Sequence, residues 1–170
     1  GSLLKMLKEQ KNVTGYGIDY DISQIKLSLD NEINVMQLDL DDDLNDFKDD
    51  TFDYVVLAQS LQEIKNPEKL LKEMLRIGKE IIISFPNMGH WSARLQLFIG
   101  GKMPVTSELP HSWHNTPNIH LCTICDFENF CKENNFIISK SSITSRSFLG
   151  NLMVKILPNL FGQVALFRIQ

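Results

Sequence analysis

Two strand-like apolar runs separated by one amphipathic helix pattern constrain the fold of this chain more than any other feature. Phe52–Gln59 and Glu80–Phe85 are rich in β-branched and aromatic residues, and Asn66–Lys79 repeats apolar residues at helical spacing. A strand, a helix and a second strand in this order predict a parallel βαβ unit, because parallel strands need a crossover connection.

The ends of this unit carry local signals. Asn66 can cap the helix, Pro67 suits its first position, and Gly78 suits its C-terminal cap. Pro86 ends the second strand. The near-continuous apolar core Tyr54–Ala58 predicts that the first strand is buried on both faces.

The rest of the chain continues the alternation and predicts an α/β fold with a mainly parallel sheet. Thr123 is placed as the N-cap of a helix that faces Phe127, Phe130 and Cys131 inward. In such sheets ligands bind beyond the carboxyl ends of the strands. The further helix candidates are Leu3–Lys11, Gln24–Leu29 and Thr123–Asn134, and the further strand candidates are Thr14–Tyr20, Asn34–Leu40, Phe136–Ile143 and Val164–Ile169.

The composition and charge of the chain argue against several classes of protein. The 170 residues are 43% hydrophobic and 22% charged, which is typical of a single globular domain. The net charge of −4 argues against nucleic-acid binding through a basic face. Ile81–Phe85, among the longest apolar runs, is too short to span a bilayer, and we expect neither a membrane segment nor a signal peptide. Three cysteines indicate reduced thiols and a cytoplasmic protein.

Carboxylates stand at two predicted strand ends. Asp19 ends the first of these strands, where a carboxylate can accept both hydroxyls of a ribose, whereas Asp21 is better read as a helix N-cap. Asp39 ends the next strand and can accept from the exocyclic amine of an adenine, or else is one more solvated loop acid. The acidic run Asp39–Asp50 lacks the glycine and glutamate of an EF-hand, and most of it is expected to be solvated loop.

A long polar and aromatic segment follows Pro86, where a lid or a partner surface would lie. His111 and His114 lie three residues apart, but a metal shared by them would need further ligands. No metal site is therefore expected. Four apolar residues of this segment, Leu95, Leu97, Phe98 and Ile99, are expected to be helix core. The candidate substrate or partner residues are His90, Trp91, Arg94, His111, Trp113 and His114.

Cys122 and Cys125 have the spacing of a redox motif. They do not follow a thioredoxin-like first strand, and no second cysteine pair is present for zinc. We interpret them as a packed loop and the start of a helix.

Seven stretches of the chain together carry a family pattern: GYGID at 15–19, FDYVVLAQSLQ at 52–62, SFPNMGHW at 84–91, RLQL at 94–97, GKMPVT at 101–106, TPNIHLCTI at 116–124 and PNLFG at 158–162. They resemble the MetW family of methionine-biosynthesis proteins, which have the class I S-adenosylmethionine (SAM)-dependent methyltransferase fold. The general methyltransferase pattern is weakly specific, and the run from Pro86 to Ile124 is much more specific to MetW-like proteins.

The resemblance implies a Rossmann-like sheet whose last strand is antiparallel, and SAM or S-adenosylhomocysteine (SAH) as ligand. It implies one domain over 1–170, with 86–122 inserted as a lid or docking segment. A central strand and a glycine-rich loop are expected before Gly1, which is either an expression scar or the tail of that loop. The cofactor-binding residues implied are Gly17, Asp19 at the ribose, Asp39 and Leu40 near the adenine, and Ala58 and Gln59 at the methionine part.

The resemblance leaves two functions open. The first is methyl transfer from SAM to a small acceptor, with His90 or His120 as candidate general base. The second is a non-catalytic, activating or regulatory partner of a homoserine O-acyltransferase (MetX) in methionine synthesis. No clear catalytic constellation is present in the sequence, which favours the second function or leaves the choice open.

Overall fold

The computed structural model describes residues 1–41 and 44–170, which fall into two compact units, 1–46 and 47–170. Asp42 and Asp43, in the acidic run, lie outside the described residues. The single domain with an inserted segment 86–122 stays a prediction. Among the helices of the described residues, none is long and apolar enough to cross a membrane.

The described residues of the first unit form two helices and two short strands. The strands β1 and β2 pair in parallel, with Gly17 opposite Val35 and Asp19 opposite Gln37. Both strands are shorter than predicted, since only three residues of each form ladder bonds. The elements are α1 (Ser2–Lys11), β1 (Gly17–Asp19), α2 (Ile22–Asp30) and β2 (Val35–Gln37).

The second unit is built on a four-stranded sheet in the order β3-β4-β6-β5. Strand β6 pairs antiparallel with both β4 and β5, whereas β3 and β4 are parallel. Three strands therefore point one way and the last strand points the other way, as predicted. The elements are β3 (Phe52–Ala58), α3 (Pro67–Ile77), β4 (Gly78–Pro86), α4 (Trp91–Gly100), α5 (Ile124–Glu133), β5 (Ile138–Thr144), α6 (Phe148–Met153), α7 (Pro158–Phe161) and β6 (Val164–Ile169).

The predicted βαβ unit is confirmed, with two corrections. Tyr54 and Val56 are 52% and 44% exposed, so the prediction of a strand buried on both faces is wrong for β3, an outer strand of its sheet. The helix predicted to run to Lys79 ends at Ile77. Gly78 is its C-cap, as predicted, and is also the first residue of β4, in an extended conformation. A Cβ at Gly78 would lie 2.5 Å from Cγ2 of Val55, so close strand packing requires the glycine.

The core of the second unit includes the buried face of α3 and an aromatic cluster between the sheet and α5. The rings of Phe85, Phe127 and Phe167 are all nearly inaccessible, and the Phe127 centroid lies 4.9 Å from each of the other two. Thr123 caps α5, and with Asp126 it forms the reciprocal pair of bonds of a capping box. The predicted N-cap is therefore confirmed, and the apolar face of α5 covers the sheet.

Candidate functional site

Asp19 lies at the carboxyl end of β1 in the first unit and is partly buried. Its Oδ1 accepts a hydrogen bond from the backbone N–H of Asp21 at 3.0 Å, and its Oδ2 has no partner among the described residues. Asp21 caps α2 by accepting from the backbone and hydroxyl of Ser23, which lowers the pKa of Asp21. The cap prediction for Asp21 is confirmed.

Asp39 and Leu40 follow β2 in the same unit. The Asp39 side chain is exposed, and its Oδ1 accepts from the backbone N–H of Asp41 at 2.9 Å. Leu40 is partly buried. Gly17 stands opposite Val35, where a Cβ would lie at an ordinary contact distance of 3.8 Å from Val35 Cγ2. Steric demand therefore does not explain this glycine.

Ala58 and Gln59 lie at the carboxyl end of β3 in the second unit, and both are exposed. Gln59 has a positive φ of 56°, which is uncommon for a residue with a side chain. Its backbone N–H is held by Ser84, whose carbonyl oxygen lies at 2.9 Å and whose Oγ lies at 3.2 Å. The chain thus turns sharply at the end of the strand where the resemblance expects a ligand.

Gln62 is a residue that the sequence reasoning missed. Its Nε2 donates to the Gln59 carbonyl at 2.7 Å, and its own carbonyl accepts from the N–H groups of Ile119 and His120. Its Oε1 is buried without a partner among the described residues. Gln62 therefore ties residues 119–120 to the turn that follows β3.

Asn87 is a buried hydrogen-bonding centre just after β4, with 4% of its surface exposed. Its Nδ2 donates to the carbonyls of Asn159 and Gly162, and its Oδ1 accepts from the N–H groups of Gly89 and Ile124. One amide thus joins the approach to α4, the first residue of α5, and α7. The sequence signal for this role is an asparagine directly after a strand-ending proline.

His90 caps α4 and is also buried, with 9% of its surface exposed. Its Nδ1 accepts from the Ser92 N–H, which places the proton of the neutral ring on Nε2. Burial lowers the pKa of His90, while the Glu108 carboxylate raises it by a smaller amount. The imidazole is therefore neutral near pH 7, but its one lone pair is engaged by the α4 cap and Nε2 carries a proton, so the ring offers a donor rather than a free base.

Arg94 lies on the exposed side of α4 and Trp91 at its start. The Arg94 Nε donates to the Gly89 carbonyl at 2.6 Å, and the Trp91 ring centroid lies 5.6 Å from that of His90. Trp91 is 48% exposed. These three predicted residues are brought together at one end of one helix.

The other predicted residues of the segment do not join this group. His111, Trp113 and His114 are exposed on a loop, where the Trp113 and His114 rings contact each other. His120 is exposed, with its Nε2 3.4 Å from the Lys65 carbonyl. The described part of the chain holds no group of three or more residues that could bind a metal ion.

The expectation that four residues of α4 form helix core is wrong. The helix is present, but Leu95 and Leu97 are about half exposed, Phe98 is 89% exposed and Ile99 is 74% exposed. Ala93 is the one buried residue of α4. Helical spacing correctly places residues on a helix, but no described element covers this face.

The two cysteines of the CxxC motif flank the start of α5. Cys125 lies in its first turn, and Cys122 precedes the Thr123 cap. Burial raises the pKa of the Cys122 thiol to about 12, which disfavours the thiolate that redox chemistry requires. The interpretation as a loop and helix start is confirmed, but Cys125 is exposed rather than packed.

Comparison with solved structures defines the class of the fold. A SAM-dependent methyltransferase from Archaeoglobus fulgidus superposes with a TM-score of 0.71 at 16% identity, over 99% of this chain and 80% of that one. The plantazolicin methyltransferase BpumL, solved with SAH, gives 0.62 at 18% identity, over 100% and 72%. The [4+2]-cyclase SpnF gives 0.60 at 11% identity, over 96% and 68%. The chain has the Rossmann-like fold of class I SAM-dependent methyltransferases.

Comparison with sequence families assigns the chain to a smaller group of proteins than the fold class does. Residues 1–169 match the sequence profile of the family described as methionine biosynthesis protein MetW, and the chain belongs to that family. The resemblance seen in the sequence is thereby confirmed.

A curated relative adds a further observation. The bifunctional methionine biosynthesis protein MetXA/MetW of Rhodopirellula baltica is 41% identical over 95 residues, which is 55% of this chain. The match spans only 15% of that longer protein.

Proposed function

We propose that this protein binds SAM or SAH and acts in methionine biosynthesis as a partner of a homoserine O-acyltransferase. The observation that carries the first part is Asp19, a partly buried carboxylate at a strand end with one oxygen unpartnered. A carboxylate in this position suits the paired hydroxyls of a ribose. The fold class, and the SAH in the BpumL structure, support the choice of ligand.

The remaining binding residues follow from the family resemblance and suit their roles chemically. Asp39 would accept from the adenine amine, with Leu40 beside the ring, and Gly17 would leave room near the ribose. Ala58 and Gln59 would contact the methionine part. When bound, SAM supplies a methyl group activated by its sulfonium.

Calorimetry with SAH tests the binding proposal. Asp19→Asn removes the charge and keeps the shape, so we expect affinity to fall by about 1.5–3 kcal/mol, the range for hydrogen bonds to charged groups. Asp30→Asn, at the exposed end of α2, is the matched control and is expected to bind like wild type. Equal affinities for the two variants would remove Asp19 from the site.

The partnership rests on a different observation. The R. baltica relative carries the names MetXA and MetW on one polypeptide, which supports a link between the two functions. Segment 86–122 supplies the proposed docking surface, with α4 at its centre. Exposed aromatic side chains and arginine are common anchors of protein interfaces.

The docking face of α4 is defined by Trp91, Leu95 and Phe98, which recur at helical spacing on one side. Arg94 stands between them. Its guanidinium uses Nε on Gly89, and its terminal nitrogens have no partner among the described residues. The face therefore offers apolar area with one cation, and a complementary partner surface would be apolar with a carboxylate.

Co-purification with the acyltransferase tests the partnership. Trp91→Ala with Arg94→Ala, or Phe98→Glu alone, should abolish the complex. Phe148→Glu is the matched control, because Phe148 in α6 is 87% exposed and lies outside the segment. A complex that survives Phe98→Glu and the double substitution, or a wild-type protein that forms none, would contradict docking through α4. Methyl transfer to a small acceptor would then be the better hypothesis.

A further inference from the structure

A cavity of about 150 Å³ opens beside the start of α4, entirely within the second unit. An apolar protein cavity of similar volume holds a benzene-sized molecule, whereas most of the residues around this one are polar. Its lining residues come from the end of β4, the first turns of α4, the turn 106–109 and the residue before β6. They include Asn87, His90, Gln96, Thr106, Glu108 and Gln163.

The turn that carries Glu108 is closed by hydrogen bonds between its two ends. Two hydrogen bonds join Thr106 and Leu109. The Thr106 N–H donates to the Leu109 carbonyl, and the Leu109 N–H donates to Thr106 Oγ1. Gln96 holds the preceding residue by bonding both the N–H and the carbonyl of Val105. Glu108 is therefore placed by four hydrogen bonds of its surroundings rather than by a loose loop.

The Glu108 carboxylate is mostly buried, with 14% of its side chain exposed. Both hydrogen-bond donors to this carboxylate bind the same oxygen, Oε1: Arg146 Nε lies at 2.9 Å and the Ser107 hydroxyl at 3.1 Å. The other oxygen, Oε2, has no partner among the described residues. A carboxylate oxygen in a sheltered polar cavity is a strong acceptor for a charged donor.

His90 lines the same cavity and adds a donor. Its Nδ1 is used by the α4 cap, so Nε2 carries the proton and has no partner among the described residues. Because the imidazole is neutral near pH 7, Glu108 is the one charged side chain among the described residues of the lining. The lining therefore presents one carboxylate, paired through Oε1 with Arg146 and open at Oε2, together with an uncharged N–H donor.

From this arrangement we infer that the cavity is a binding site for a small primary amine, whose ammonium group binds Glu108 and whose hydroxyl or carbonyl oxygen binds His90. The inference needs neither SAM binding nor methyl transfer. The site lies at the carboxyl edge of the parallel pair β3 and β4, the same edge as Ala58 and Gln59. An amine bound there would be a substrate or an effector of the protein.

Titration followed by NMR tests the inference on the full chain, with ethanolamine as the probe. The Trp91 indole N–H signal reports on the site because that ring contacts His90, and Trp113→Phe assigns it among the two indole signals. We expect a saturable shift of this signal with ethanolamine. Ethylene glycol, which replaces the ammonium by a hydroxyl, should bind at least about tenfold more weakly than ethanolamine. This is the loss expected when a charge-assisted bond is removed.

Two variants separate binding from a structural role for Glu108. Glu108→Gln should weaken ethanolamine binding about tenfold or more, while Glu133→Gln, on the exposed end of α5, should not change it. Arg146→Gln removes the competing cation and should bind ethanolamine at least as tightly as wild type.

Absence of a saturable shift in the wild-type protein would overturn the inference. Equal binding of ethanolamine and ethylene glycol to the wild type would do the same, and this comparison needs no variant to fold. Weaker binding by Arg146→Gln would show that the ion pair, rather than the free oxygen, is what matters.

Discussion

Helices α4 and α5 have the same length and similar caps but opposite surroundings. Each has ten residues and begins after a side chain that accepts a hydrogen bond from the first turn, His90 for α4 and Thr123 for α5. Helix α5 buries Ile124, Phe127 and Cys131, whereas α4 buries Ala93 alone and leaves its large apolar residues exposed. Apolar content therefore does not decide burial, and α4 has surface available for a partner.

The largest expected contrast between the two helices is in the cost of losing a phenylalanine. Phe127→Ala should lower the free energy of unfolding by about 3–5 kcal/mol, because the ring is packed against two others and a cavity would remain. Phe98→Ala on α4 should change it by less than about 0.5 kcal/mol. Urea denaturation of both variants checks this, and a large cost for Phe98→Ala would mean that α4 is covered.

A smaller effect is expected at the residue that contacts the starts of both helices. Asn87→Ala leaves the N–H of Gly89 and two carbonyls without their buried partner, and should cost about 2–4 kcal/mol. Asn87→Asp turns a carboxylate oxygen toward the same two carbonyls in a buried position, so it should be no more stable than the alanine variant. Thermal and urea unfolding measure both. An aspartate variant clearly more stable than the alanine variant would show that the bonds donated to the two carbonyls matter little.

The α5 cap should contribute less again. Thr123→Ala removes the hydroxyl that accepts from the Asp126 N–H, and we expect a loss of about 1 kcal/mol in the free energy of unfolding. Thr123→Ser retains the oxygen and should lie close to wild type. Equal stability of the alanine and serine variants in urea would show that the capping box is not needed once α5 is packed.

The smallest effect is a pH dependence that arises at the α4 cap. Burial keeps the folded-state pKa of His90 below its ordinary value of 6.5, so the unfolded chain takes up the proton first as pH falls. The neutral, buried imidazole therefore adds to the free energy of unfolding above pH 6.5, and this contribution is lost as the pH falls further. His90→Asn keeps a capping oxygen and should reduce the loss between pH 7.5 and 5.5. Identical pH profiles for the two proteins in urea unfolding would contradict this.

Sequence patterns predicted the parts of the fold that depend on local signals. The helix between β3 and β4, the caps Asn66, Asp21 and Thr123, and the strand β6 all follow from residues within a few positions of each other. Helices α6 and α7 were not predicted, because they are only six and four residues long and have no full helical repeat. Strand burial at Tyr54 was wrong because it depends on which strands flank β3.

The candidate site was predicted unevenly for a related reason. Asp19 and His90 each follow a strand end in their own unit, so the strand pattern alone could single them out as candidates. Glu108, Asn87 and Gln62 depend on contacts with residues far along the chain, such as Asn87 with Gly162. Periodicity carries no information on such contacts, and exposure of the α4 face depends in the same way on what packs against it.

The absence of a loop between α3 and β4 has a consequence for the order of folding. Helix α3 ends at Ile77 and β4 begins at Gly78, so docking the helix on the β3–β4 pair closes very little additional chain. A short closure costs little entropy, which favours early formation of this unit in the transition state. Strand β6 joins β4 only after some eighty intervening residues, so we expect it to dock later. Leu71→Ala should therefore slow folding and have a high φ-value. Phe167→Ala in β6 should have a much lower φ-value and should mainly accelerate unfolding.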